Sequence, residues 1–101
     1  MALDARSVEG IWVHSHEEDG EGVQVYRPPT YDFPPARGRE SIELQAGGAL
    51  VDRGPGPTDV PAEAEGTWAL RGETLVLRSA AGERALDVVA AEDDQLVLRP
   101  R

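Results

Sequence analysis

Cysteine and lysine are both absent from this chain of 101 residues, and phenylalanine and methionine occur once each. Without cysteine there is no disulfide framework, no zinc–thiolate site and no thiol nucleophile, so the core must hold by packing alone. Without lysine there is no Schiff-base chemistry and no lysine-activated nucleophile. No stretch approaches the ~18 apolar residues of a membrane helix, and the charged first nine residues contain no apolar signal region. The expectation is a soluble cytoplasmic protein with no membrane partner. Basic charge is also scarce: ten arginines against nineteen acids leave a net charge of −9. A polyanion would meet repulsion over most of such a surface, which argues against nucleic acid as a partner, and solubility is the ordinary role of the excess acids.

The length allows a single domain spanning 1–101, near the small end of what buries its own core. Twice a Glu-Gly-x-Trp cluster opens an alternating apolar run, at Glu9-Gly10-Ile11-Trp12 and at Glu65-Gly66-Thr67-Trp68. Each reads as a strand leaving a turn. Period-two alternation between Gly, Pro or Asp boundaries gives about eight strands, with little helical periodicity between them. They are Gly10 to Ser15, Val23 to Arg27, Ser41 to Gln45, Ala49 to Arg53, Gly66 to Leu70, Thr74 to Arg78, Arg84 to Ala91 and Gln95 to Leu98. The breaks at Ala46-Gly47-Gly48, Arg71-Gly72-Glu73, Ala80-Ala81-Gly82 and Asp93-Asp94 suit tight hairpins. Successive strands should pair as an antiparallel meander, and closure into a small barrel would remove the edges of an open sheet. Parity nominates the core: Trp68, Leu70, Leu75, Leu77, Leu86, Val88, Leu96, Leu98, Ile42, Leu44, Val23 and Val25.

Two connections are not hairpins. The segment 28–39 is too rich in proline for sheet or helix, yet it holds Tyr31 and the single phenylalanine, Phe33. It reads as an ordered lid over one barrel end. Residues 54–61 form a shorter arch of the same kind.

Gly10-x-Trp12 at the head of a first strand, followed by an all-β meander whose last strand ends in Arg99, resembles the lipocalins and the wider calycin group. The resemblance implies a lipocalin-like barrel with a cavity for a small ligand. It also implies that Trp12 closes one barrel end beneath Arg99 in a cation–π contact. The chain is much shorter than typical members, lacks a helix after the barrel, and has Val60 after Thr58-Asp59 where the family's second motif has an aromatic. The stretches His14-Ser15-His16-Glu17-Glu18-Asp19, 33–40 and 54–59 are also similar to a set of short uncharacterised bacterial proteins, which brings no function with it.

Candidate chemistry gathers at His14 and His16. Two apart on a strand, they share a face with each other and with Trp12. If Trp12 points inward, both imidazoles enter the barrel mouth, where they would hold a divalent metal ion with Glu18 adding oxygen. If Ile11 and Val13 are the inward set, both imidazoles face solvent and pair with nearby acids. No further histidine or cysteine exists to complete a ligand set. The glycine spacing and later histidine of a cupin are missing, as is the His-Glu-x-x-His of a metalloprotease. The serines lack a nucleophile elbow, and the prolines of Gly54-Pro55-Gly56-Pro57 remove the backbone donors of a phosphate loop. Arg37 and Arg39 would receive a carboxylate or phosphate ligand at the mouth, or pair with Glu17, Glu18, Asp19 or Asp59 and pin the lid. Tyr26 and Tyr31 serve as wall or as hydrogen-bond donors. The composite reading is a small binding or accessory module rather than an enzyme. Its small-molecule ligand would bind at a mouth made of His14, His16, Tyr26, Tyr31, Phe33, Arg37 and Arg39. The alternatives are a metal-binding protein or metal-assisted enzyme using His14 and His16, and a protein-interaction module. Monomer and homodimer are both open.

Overall fold

A computed structural model describes residues 4–35, 39–54, 62–79 and 82–101. Eight antiparallel strands form a closed barrel: β1 (Gly10–His14), β2 (Gln24–Arg27), β3 (Ser41–Leu44), β4 (Ala49–Gly54), β5 (Ala62–Arg71), β6 (Thr74–Ser79), β7 (Gly82–Glu92) and β8 (Gln95–Pro100). The fold is the expected all-β meander barrel, compatible with a lipocalin-like architecture. Strands β3 to β8 pair in chain order, through turns at Gly47, Gly48 and Gly72 that adopt the left-handed φ open to glycine. The β1–β2 hairpin closes the ring, with β1 seated between β2 and β3 and β2 against β8. The proline-rich segment therefore crosses over β1 to reach β3. Arg27 ends β2 opposite Val13, and Ser41 opens β3 opposite the same residue, so the crossing is direct.

Alternation fills the interior. Trp12, Ile42, Leu44, Leu50, Trp68, Leu75, Leu77, Leu86, Val88, Leu96 and Leu98 are buried together with Val8 and Tyr26. Leu70 packs against this cluster while partly exposed. On β2 the inward residue is Tyr26, not the Val23 and Val25 that parity nominated. Val25 is buried, but on the opposite face: its N–H donates to Asp19 Oδ1 at 2.9 Å and its carbonyl accepts from Ser15 N–H. With Val25 and Tyr26 adjacent and both nonpolar, the letters did not mark which one faces in. Strand β5 starts at Ala62, four residues earlier than expected, because its Ala-Glu alternation lacks the large apolar groups that mark a strand.

The two tryptophans are anchored alike. Trp12 Nε1–H donates to the Val8 carbonyl at 2.9 Å, and Trp68 Nε1–H to the Gln45 carbonyl at 2.8 Å. Val8 is fully buried and follows the 3-10 turn Ala5–Ser7, which is capped by Asp4, whose side chain accepts from the Ser7 N–H and hydroxyl. That turn, and not Arg99, covers Trp12. Leu96 and Leu98 take the inward positions of β8, so Arg99 stands exposed on the outer face and the cation–π contact implied by the resemblance is not formed.

The two Glu-Gly-x-Trp glycines answer different needs. Gly10 has φ of +130°, whereas Gly66 lies where β5 passes so close to β6 that a Cβ would sit 1.8 Å from the Arg78 carbonyl oxygen. Gly66→Ala should therefore unfold the protein or lower its melting temperature more than Leu77→Ala, a buried truncation expected to cost about 2–5 kcal/mol in urea titrations. An alanine tolerated at 66 would show that β5 can move off β6.

Candidate functional site

The barrel has an apolar end and a polar end, and pairing explains the difference. Trp12 faces Ile42, and Ile42 faces Asp52, so Asp52 shares the inner side of the sheet. Arg84 faces the buried Leu77 in the same way. His14 faces Tyr26, and its N–H donates to the carbonyl of Glu40, the residue before β3. His14, Gln24, Tyr26, Glu40, Asp52 and Arg84 thus form a polar layer on one end of an otherwise aliphatic interior.

Arg84 Nη2 donates to Asp52 Oδ2 at 2.8 Å, although β5 and β6 separate their strands, so the ion pair bridges part of the opening. Tyr26 is only 3% exposed, and its hydroxyl donates to Gln24 Oε1 at 3.3 Å. Burial pushes its phenol up to about 12, with Arg84 pulling against this and Glu40, Asp19 and Asp52 adding to it. At neutral pH it is an un-ionised hydrogen-bonding group. The His14 ring stacks on Tyr26, centroids 5.1 Å apart, and its Nε2 lies 2.9 Å from Asp19 Oδ2.

His16 does not continue the strand. After His14 the chain turns at buried Ser15 into the 3-10 turn His16–Glu18, which leaves the His16 side chain 52% exposed and its ring edge-on to His14 at 6.1 Å. The same-face pair expected of an extended segment is lost at that turn. Glu18 is held elsewhere, and among the described residues no three His, Cys, Asp or Glu side chains gather to hold a metal ion.

A belt of side chains joins this turn to the proline-rich segment. Glu18 takes two hydrogen bonds from Arg27, at 3.0 and 2.7 Å, and one from the Ser15 hydroxyl. The Arg27 guanidinium lies over Tyr31 at 4.7 Å, Tyr31 meets Phe33 edge-on at 4.9 Å, and Arg39 covers Phe33 at 4.8 Å. Arg39 then forks onto both carboxylate oxygens of Glu17 and donates to the carbonyls of His14 and Pro34. Of the two roles open to Arg39, the geometry is that of a pin. Arg37 lies outside the described residues. Arg39 holds the Glu17 carboxyl at about 2, and Arg27 holds Glu18 at about 2, each against a smaller opposing effect of burial.

Of the expected site residues, His14 and Tyr26 meet at the polar end, while His16, Tyr31, Phe33 and Arg39 belong to the neighbouring turn and belt. Gln24, Glu40, Asp52 and Arg84 were missed. Parity pointed to three of them, since Glu40 is in step with Ile42, Asp52 with Leu50 and Arg84 with Leu86, but charge argues against an inward position until the barrel end is known. Compared with known proteins, the chain matches no family model, no curated protein and no solved structure.

The belt sets a pH dependence. Glu17 and Glu18 bind protons less readily when folded, at about 2, than at their ordinary value of 4.5. Their stabilisation is complete above the ordinary value and is lost as pH falls from there towards 2, because the unfolded chain takes up protons first. Melting temperature should fall across that window, and less steeply in a Glu17→Gln, Glu18→Gln double variant, with a smaller effect in high salt because both groups are partly exposed. Equal slopes for parent and variant would mean that the belt adds nothing to stability.

Proposed function

We propose that the protein is a small-molecule binding module that takes a polar ligand at the polar end of the barrel. The observation that carries this reading is the change, among the described residues, from an apolar interior to hydrogen-bonding groups at one end. A domain stabilised by burial alone has no need of inward polar side chains, whose desolvation is costly unless they are paired. The neutral phenol of Tyr26, the amide of Gln24, the carboxylates of Glu40 and Asp52 and the guanidinium of Arg84 provide donors and acceptors around one opening. A few convergent polar groups over an apolar floor are the usual composition of a ligand site. The turn at 15–19, held by Arg27 and Arg39, stands beside it through the contact of Asp19 with His14. The lipocalin-like character of the barrel supports the same use, with the ligand at the mouth because packed side chains fill the interior.

Native mass spectrometry of gently purified protein, followed by a melting-temperature screen of small polar compounds, tests this reading. A true ligand at about a hundredfold its Kd should stabilise the fold by about 2.7 kcal/mol. Arg84→Gln and Tyr26→Phe should each abolish most of that gain while leaving the ligand-free protein folded. If no compound co-purifies or stabilises, or if stabilisation persists in both variants, the polar end is not the site.

A further inference from the structure

The outer face of the barrel over β6, β7 and β8 carries a second feature, independent of the polar end. An open depression of about 440 Å³ lies there, with Glu73, Thr74, Asp87, Val89, Arg99 and Arg101 among the residues on its walls. Register builds it: Thr74 faces Asp87, and Asp87 faces Arg99. A β-bulge between Val88 and Ala90 inserts Val89 and turns it outward, 48% exposed. Bulges re-aim side chains in this way and are common beside binding sites. Val89 and Ile11 are the large hydrophobic residues that the described chain leaves exposed, and only Val89 borders this depression.

The charges around it are unevenly engaged. Asp87 Oδ1 accepts from the Thr74 hydroxyl at 3.1 Å and from Arg101 Nε at 2.9 Å. Asp87 is thereby occupied, and Arg99 across from it has no acid partner among the described residues. Arg27, Arg39, Arg53, Arg78, Arg84 and Arg101 pair with carboxylates, and of the described arginines that do not, Arg6, Arg71 and Arg99, Arg99 is the one that borders the depression. Glu73 and Asp87 balance Arg99 and Arg101, so the patch is locally neutral in a chain of −9.

We infer that this depression binds a carboxylate carried on a small branched aliphatic group, with Arg99 taking the carboxylate and Val89 packing the alkyl part. A planar guanidinium with free N–H donors matches a carboxylate by a two-point hydrogen bond. A dianion such as phosphate fits less well, because a single unpaired cation would meet it in a depression that also holds Glu73 and Asp87. The same chemistry is presented by a free short-chain acid and by the C-terminal residue of a peptide.

Titration of the full, isotope-labelled chain in two-dimensional NMR tests the inference, with isovalerate, N-acetylvaline and uncharged isovaleramide as probes. Isovalerate or N-acetylvaline should produce saturable shifts at the amides of Thr74, Asp87, Val89 and Arg99 in the millimolar range, and isovaleramide should not. Tighter binding of N-acetylvaline than of isovalerate identifies a chain terminus as the source, and the reverse order a free acid. Arg99→Gln should weaken binding by about tenfold, the effect of a lost charge-assisted hydrogen bond, with Arg99→Lys intermediate and Val89→Ser also weaker. Arg99 is exposed and unpaired, so these variants should keep the parent spectrum elsewhere. The inference is overturned if acid and amide act alike, if Arg99→Gln binds as the parent does, or if no saturable shift appears. It is equally overturned if chloride reproduces the shifts, which marks an adventitious ion only.

Discussion

Closure of the barrel depends on β1. This five-residue strand has partners on both sides, Leu44 to Ser41 along β3 and Tyr26 and Arg27 on β2, and without it β2 and β3 would be the open edges of a seven-stranded sheet. Its placement between β2 and β3 has two effects on function. It carries Trp12 into the core and His14 to the polar end, and it obliges the chain to pass across it between Arg27 and Ser41. The crossing segment is rich in proline, and proline has no N–H to donate to a ladder. Side chains hold the crossing in place instead. Arg27 and Arg39 each join a carboxylate of the 15–19 turn to an aromatic ring of the segment, so the belt follows from the strand order.

The acidity of the chain reads differently once these contacts are known. Many of the acids on the described surface are engaged: Glu17, Glu18, Asp19, Glu43, Asp52, Glu83 and Asp87 each have an arginine or histidine partner. Exposed pairs of this kind add little stability one at a time. Their value here is positional, because three of them hold the 15–19 turn against β1, β2 and the proline-rich segment and a fourth crosses the barrel opening. Among the described residues no fully buried side-chain nitrogen or oxygen lacks a hydrogen-bond partner.

The strands were legible because each alternates over an interior that demands large aliphatic groups on one side, and because glycine marks the turns. Leu75, Leu77, Leu86, Leu96 and Leu98 follow from that rule alone. It fails where the rule has no contrast to work on. Ala62 to Glu65 offers no bulky residue, and Val25-Tyr26 offers two candidates in a row. The site was half legible. A histidine in step with a barrel tryptophan pointed to the polar end, but the turn at Ser15 that sends His16 outward depends on contacts with Val25 and Arg27 from another strand. The crossing over β1 was hidden for a similar reason: hairpin signals report neighbours in the chain, and the partner of β2 is β8.

That pairing of Gln24 with Leu98 has a temporal side. A ribosome delivers the hairpin of residues 10–27 long before residues 95–100, so during synthesis β2 waits with one edge bare while the rest of the ring is still being made. Bare edges are where chains associate wrongly. In β2 the waiting stretch is only four residues long and ends in Arg27 followed by two prolines, a composition that gives a stray strand little to grip. The proline run that bridges the finished barrel is thus also placed to guard the unfinished one.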